Sequence, residues 1–113
     1  MSLNISWSFE NHIRTSILQG RIDSRNSALF KKTVEDELHA SDKGLILDFG
    51  RIDYISSAGL RIVLELAKLY RGEKRFAICG LSPTVQEVFE ISGFNQIITI
   101  YSTHDQAIQE LLN

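Results

Sequence analysis

The chain has 113 residues and a formal net charge of −2, with 43% hydrophobic and 23% charged residues. This length and composition suit one ordinary globular core, so we expect a single domain over residues 1–113. The charge gives no indication of a nucleic-acid or anionic-membrane surface, and no apolar run approaches the roughly 20 residues of a membrane span. One cysteine, Cys79, excludes an internal disulfide, and the N-terminus has no signal-peptide pattern, which together predict a cytoplasmic protein.

The first predicted elements are two strands and a helix. Residues 3–10 alternate apolar and polar side chains, as in a half-buried strand. A tight turn at Asn11-His12 leads into a second strand over 13–18, which closes a hairpin, and residues 20–23 form a loop. Apolar residues every four positions over 24–41 predict an amphipathic helix.

Strands and helices alternate in the rest of the chain. Short apolar runs predict neighbouring parallel strands at 45–49 and 75–79 and a last strand at 97–100, with a loop over 50–56. Helix signals are N-caps, a proline at a first helical position and a C-cap glycine. They predict a helix over 57–71 ending at Gly72, one beginning at Ser82-Pro83, and one beginning at the Thr103-x-x-Gln106 capping box.

The order of elements is therefore β-β-α-β-α-β-α-β-α. Strands that alternate with helices indicate βαβ units and a largely parallel sheet. The sequence predicts an α/β fold with a mixed sheet, mostly parallel, and an antiparallel hairpin at its N-terminal end.

No residue pattern points to catalysis. The histidines at 12, 39 and 104 have no metal-ligand spacing, and neither GxxxxGK[ST] nor GxGxxG occurs. Ser57 lacks the G-x-S-x-G nucleophile elbow, and the apolar neighbours of Cys79 predict a buried, inert thiol. We expect no enzymatic activity, no cofactor and no metal. A small hydrolase stays open as an alternative, because the members of a catalytic triad meet only in space.

The informative segment is 48–60, which follows a central strand and begins a helix. Functional groups in α/β sheets collect beyond the carboxyl ends of the strands, and the free N–H groups of a helix N-terminus can donate hydrogen bonds to a phosphate. A simpler alternative is that Ser56 or Ser57 only caps the helix.

This segment resembles the signature of the STAS-domain anti-sigma factor antagonists. In that family a strand ending in Leu-Asp is followed by a short loop and an Asp-Ser-Ser/Thr-Gly-Leu motif. The matching residues here are Leu47-Asp48-Phe49, Tyr54 and Ile55-Ser56-Ser57-Ala58-Gly59-Leu60. Gly20-Arg21-Ile22-Asp23 is similar to the family's Gly-x-Leu/Ile-Asp loop. Phe94 followed by the strand at 97–100 is similar to the phenylalanine and apolar strand with which the family's domain ends. The resemblance covers nearly the whole chain and implies the STAS fold.

The resemblance also implies a function. The chain would bind an anti-sigma factor that is a serine kinase and release the sigma factor for bacterial transcription. Phosphorylation of Ser57 by that kinase would switch it off, with Ser56, which replaces the usual Asp, as second choice. A PP2C-type phosphatase would reset it. The implied partner-binding residues are Asp23, Ser56, Ser57, Ala58, Gly59, Leu60 and Arg61.

Three alternatives stay open beside this interpretation. The chain could be a non-phosphorylated STAS scaffold or an accessory subunit of a larger regulatory or transport complex. The resemblance places Asp23 and Asp48 near the site as loop and strand-end carboxylates, but both could instead serve only in turns and caps. The helix after Ser57 confines Arg61, Glu65 and Lys68 to one stripe and is apolar elsewhere. It could be wedged between neighbours, or it could expose an apolar flank to a partner.

Overall fold

The computed structural model describes residues 3–70 and 75–113, which form one five-stranded sheet and four α-helices. The sheet order is β1-β2-β3-β4-β5, with β1–β2 antiparallel and every other neighbouring pair parallel. This is the predicted mixed sheet. In chain order the elements are β1 Leu3–Glu10, β2 Ile13–Ile22, α1 Ser27–Glu37, β3 Gly44–Ile55, α2 Ser57–Lys68, β4 Arg75–Cys79, α3 Pro83–Ser92, a 3-10 turn Phe94–Gln96, β5 Thr99–Tyr101 and α4 His104–Leu112.

The N-terminal hairpin closes through a two-residue turn at Asn11 and His12. Both residues have positive φ angles, 52° and 66°, as a turn matched to the twist of its strands requires. The pairing then runs without a break from Glu10 opposite Ile13 to Leu3 opposite Gly20. The predicted hairpin is confirmed, and its second strand is longer than expected.

The prediction of loops at 20–23 and 50–56 was largely wrong. Residues 20–22 belong to β2 and residues 50–55 to β3, and the two segments pair with each other. The register between these strands shifts twice, after Ile17 and after Gly20, so β3 carries two extra residues. Bulges of this kind bend a strand and break its alternation, which is why the buried Ile52 and Ile55 stand three residues apart.

Other boundaries differ by a few residues. α1 begins at Ser27 rather than 24, because the residues before it form a turn around Asp23. It ends at Glu37 rather than 41, because the backbone of Leu38 is extended. β5 begins at Thr99 rather than 97, because the Ile97 amide still bonds to the Phe94 carbonyl of the 3-10 turn. The predicted strands at 45–49 and 75–79 are parallel neighbours, as expected. α2 ends at Lys68 with Leu69 as its C-cap, rather than at 71 as predicted, and the predicted C-cap Gly72 lies outside the described residues.

The core lies on both faces of the sheet. Helices α1, α2 and α3 cover one face, where the rings of Phe49 and Phe89 meet edge to face at 6.0 Å. α4 covers part of the other face, against Ile13, Ile46 and Cys79. Burial, with a smaller contribution from Asp48, raises the pKa of Cys79 to about 12, so this buried thiol stays protonated. No helix in the described part of the chain is long and apolar enough to cross a membrane.

Candidate functional site

The two serines before α2 have different roles. Ser56 is the N-cap: its backbone is extended, and its Oγ accepts the Gly59 amide at 3.1 Å. Ser57 is the first helical residue and is exposed, and its hydroxyl makes no hydrogen bond within the described residues. Capping therefore accounts for Ser56 and leaves the hydroxyl of Ser57 available to another molecule.

The helix N-terminus that carries Ser57 favours a negative group. The N-terminus of a helix carries a partial positive charge from its free N–H groups. The first turn of α2 has no acidic side chain that would already neutralise this charge. A phosphate or carboxylate at Ser57 would therefore be compatible with the helix that carries it.

Close packing holds α2 against the ends of β2 and β3. The Ser56 amide donates to the Ile22 carbonyl at 2.9 Å, so the helix starts directly beside the end of β2. Gly59 lies against the side chains there: a Cβ on this residue would be 2.7 Å from Ile22 Cγ2 and 2.8 Å from Ile55 Cγ1. The glycine of the motif therefore lets the backbone approach the sheet and positions Ser57.

We expect Gly59→Ala to lower the free energy of unfolding by about 1 kcal/mol. Overpacking at this contact costs about 2 kcal/mol, and the better helix propensity of alanine recovers up to about 1 kcal/mol. Urea unfolding measures the difference. Ser57→Ala is the matched control and should change stability little, because it removes an unbonded hydroxyl from the same turn. A Gly59→Ala variant as stable as wild type would show that the contact relaxes freely.

Asp23 lies at the same edge of the sheet, directly after Ile22. Its Oδ1 accepts the backbone amides of Arg25 at 2.9 Å and Asn26 at 3.2 Å, and its Oδ2 is 3.3 Å from Nε of Arg21. Burial acts to raise the pKa of Asp23, but these amides and the guanidinium outweigh it and lower the pKa. The structure thus gives Asp23 a turn-forming role before α1 and keeps it ionised.

A stacked pair of exposed side chains completes this edge and was not predicted. The guanidinium carbon of Arg21 lies 4.5 Å from the ring centroid of Tyr54, and the two residues are register partners in β2 and β3. Tyr54 is 43% exposed. Because the sequence predicts loops for both segments, it does not indicate that these two side chains lie side by side. We call Arg21, Asp23, Tyr54 and Ser57 the Ser57 edge.

The other expected site residues are placed as follows. Arg61 is exposed on α2 and Ala58 is half-buried, whereas Gly59 and Leu60 are buried and act on the site through packing. Asp48 is not at the Ser57 edge: it lies opposite Cys79, and its Oδ1 accepts the Gly50 amide at 2.9 Å within β3.

Packing accounts for most of the wide apolar arc of α2. Its buried residues face the core, and Glu65 pairs with Lys31 of α1 at 3.0 Å. Leu69, beyond the end of the helix, is 51% exposed. The helix is therefore wedged between α1 and the sheet, which was the simpler of the two alternatives. Within the described residues, no three His, Cys, Asp or Glu side chains form a group that could hold a metal ion.

The fold is that of the STAS class. Residues 8–107 match the STAS domain family, so the chain belongs to that family. The protein BtrV of Bordetella bronchiseptica, named as an anti-sigma factor antagonist, is 41% identical over 91 residues, which cover 80% of this chain and 78% of BtrV.

Solved structures show the same fold. The unphosphorylated form of the anti-sigma factor antagonist SpoIIAA has a TM-score of 0.77 at 21% identity, with 96% of each chain covered. The phosphorylated Bacillus form has a TM-score of 0.69 at 20% identity, with 96% of this chain and 99% of that chain covered. A sulfate transporter family protein from Wolinella succinogenes has a TM-score of 0.78 at 17% identity, covering 92% of this chain and 88% of that chain.

Proposed function

We propose that this chain is an anti-sigma factor antagonist that is switched off by phosphorylation of Ser57. The observation that carries the proposal is the exposed hydroxyl of Ser57 at the start of α2, which makes no hydrogen bond to the residues that the structure describes and lies beside a separate capping serine. The name of BtrV supports the class of function. SpoIIAA, which shares the fold, has been solved in phosphorylated and unphosphorylated forms, which supports the mode of control.

In the unphosphorylated state the chain binds an anti-sigma factor kinase through the Ser57 edge together with the exposed Arg61, and the sigma factor is released. Ser56, Gly59 and Leu60 hold the start of α2 in place, and the half-buried Ala58 lies in the same turn. Such a cycle operates in the bacterial cytoplasm, where the sigma factor and ATP are found.

Phosphorylation reverses this binding through charge. The Ser57 Oγ bonds to the γ-phosphorus of ATP, its proton passes to a base of the kinase, and ADP leaves. The chain supplies only the hydroxyl and catalyses no step. The phosphoryl group adds about −1.5 to −2 charge at neutral pH, and an uncompensated charge in an interface costs several kcal/mol. Each 1.4 kcal/mol is about tenfold in affinity, so one modification is enough to separate the proteins. A PP2C-type phosphatase would restore the hydroxyl by hydrolysis.

The second candidate is a STAS scaffold or accessory subunit of a larger complex that is never phosphorylated. The fold shared with a sulfate transporter family protein favours it, because the same architecture serves in a transport context.

We expect the kinase to place one phosphate on Ser57. The tagged chain is first used to purify its partner from the native cell, and the partner is identified by mass spectrometry as an ATP-binding anti-sigma factor. The purified pair is then incubated with Mg-ATP, and peptide mapping locates the phosphate. Ser57→Ala should abolish the modification. Ser56→Ala should keep it and lose about 1 kcal/mol of stability, because it removes the cap.

Two results would contradict this assignment. Phosphate on Ser56 alone would move the switch to the capping residue. A stable complex that never takes up phosphate would favour the scaffold.

A further inference from the structure

The outer edge of β1 is a strand edge without a partner among residues 3–70 and 75–113. β1 is the first strand of the sheet order, and within those residues it pairs on one side only, with β2. It has eight residues, and its pairing with β2 is free of bulges. Proteins usually protect such an edge with proline, lysine, a bulge or a covering loop. β1 contains no proline or lysine, so its free backbone groups form a template for another strand.

The hairpin turn determines which backbone groups point outward. Glu10 and Ile13 are the ends of the two-residue turn and therefore form a hydrogen-bonded pair. Hydrogen-bonded and non-bonded pairs alternate along an antiparallel ladder, so the even-numbered residues of β1 direct their N–H and C=O groups to β2. The outward groups belong to the odd-numbered residues, which are Leu3, Ile5, Trp7 and Phe9.

The side chains of these odd-numbered residues form an incompletely covered apolar row. Leu3, Ile5 and Trp7 pack half-buried against the core, and Phe9 is 50% exposed. The even-numbered Asn4, Ser6 and Ser8 are exposed on the opposite face. Residues 3–9 carry no charge. A second strand at this edge would cover more of the apolar row, and none of the side chains of residues 3–9 that it would meet is ionised. The guanidinium of Arg14, 4.5 Å from the ring centroid of Phe9, is already held by Asp42.

We propose that two copies of this chain pair antiparallel through β1, with the twofold axis at Ser6. In this register Leu3 faces Phe9 of the second copy and Ile5 faces Trp7 of the second copy. These are odd-numbered pairs, so the outward N–H and C=O groups of both strands meet as hydrogen-bonded pairs. Apolar side chains lie opposite apolar ones on one face, and neutral polar ones lie opposite each other on the other face.

This self-complementarity identifies the occupant as a second copy of the chain. A register symmetric about Ser6 uses every residue from 3 to 9, and it joins two five-stranded sheets into one of ten strands. The proposal does not depend on the function proposed for Ser57. Ser6 lies opposite Ile17, five residues before the end of β2, whereas Ser57 lies beyond the ends of β2 and β3.

Charged substitutions of either sign at Ser6 test the position of the twofold axis. Ser6 is exposed and would face itself across the axis in a non-bonded pair, where side chains are closest. Sedimentation equilibrium of the wild-type chain should give the mass of two chains. Ser6→Lys and Ser6→Glu should each raise the dimer dissociation constant about tenfold or more, because like charges meet. An equimolar mixture of the two variants should regain the two-chain mass, because Lys then faces Glu.

The control variant is Ser102→Lys, which adds the same charge at an exposed position after β5 and should dimerise like wild type. Thermal melts verify that every variant is folded. A wild-type chain that stays single up to its solubility limit would overturn the proposal, and so would Ser6 variants that dimerise as well as wild type. If the mixture of the two Ser6 variants does not recover the dimer, the twofold axis does not lie at Ser6. If Ser102→Lys also dissociates, repulsion between like charges at Ser6 is not what separates the Ser6 variants.

Discussion

Ser57→Asp should bind the anti-sigma factor about tenfold more weakly than wild type or worse, whereas Ser57→Ala should bind like wild type. The aspartate places a carboxylate inside the proposed interface without a partner, and a loss of 1.4 kcal/mol there is already tenfold. Alanine removes only a hydroxyl that makes no hydrogen bond within the described residues. Because the carboxylate carries less charge than a phosphate, the phosphorylated protein should bind more weakly still.

Both variants should remain folded, which separates a binding defect from a folding defect. Ser57 is exposed at the first position of α2, and a carboxylate there interacts favourably with the helix dipole. The N-cap is untouched, since Ser56 provides it. Thermal melts of the two variants should therefore match wild type.

Calorimetric titration against the identified anti-sigma factor measures the effect. Gln109→Glu is the matched control, because it adds one negative charge at an exposed position of α4, away from the Ser57 edge. It should bind like wild type. Equal affinities for Ser57→Asp and Ser57→Ala would mean that charge at Ser57 does not control binding, and the scaffold interpretation would then be preferred.

The parts of the fold that the sequence predicts well are those set by local chemistry. The uninterrupted apolar runs at 45–49 and 75–79 become central strands because both faces are covered. Ser82 and Thr103 accept the amides of Val85 and Gln106, as their N-cap signatures predict. These strands and caps depend on a few neighbouring residues, so they can be predicted without knowing how the rest of the chain folds.

The parts that were missed depend on pairing between distant segments. Residues 50–55 lack strand alternation because of two bulges, and a bulge exists only relative to the neighbouring strand β2. The stacking of Arg21 on Tyr54 follows from that same shifted register. At the site, the motif identified the serine pair, but only the structure shows that Ser56 caps the helix and that Ser57 is exposed at its first position.

A second long-range contact that no local pattern indicates is the buried ion pair between Arg14 and Asp42. The guanidinium binds the carboxylate with two bonds, Nε to Oδ2 at 2.7 Å and Nη2 to Oδ1 at 3.0 Å. The Asp42 side chain is fully buried and that of Arg14 is 12% exposed. The His39 amide also donates to Asp42, at 3.1 Å, so the pair joins β2 to the segment before β3.

Asp42→Asn should lower the free energy of unfolding at neutral pH by about 3 kcal/mol. Asparagine keeps the volume but removes the charge, which leaves the largely buried guanidinium of Arg14 uncompensated. Asp36→Asn is the matched control, since Asp36 pairs with Lys32 at a similar 3.0 Å but both side chains are largely exposed. An exposed pair contributes little, so the control should unfold close to wild type. Equal unfolding midpoints for the two variants would show that burial adds nothing to the Arg14 contact.

The same pair should make the stability of the wild-type chain depend on pH in the acid range. Burial acts to raise the pKa of Asp42, but the hydrogen bonds from Arg14 and the His39 amide and the positive charge of Arg14 outweigh it and lower the pKa below the ordinary 3.8. The unfolded chain then binds this proton more readily than the folded one, so stability rises with pH across that window. The contribution of Asp42 is fully present above pH 3.8 and is lost as the pH falls through the lowered folded-state value. Urea unfolding from neutral to acid pH should therefore show the gap between wild type and Asp42→Asn narrowing below pH 3.8, whereas a gap that stays constant would exclude ionisation of Asp42 as its cause.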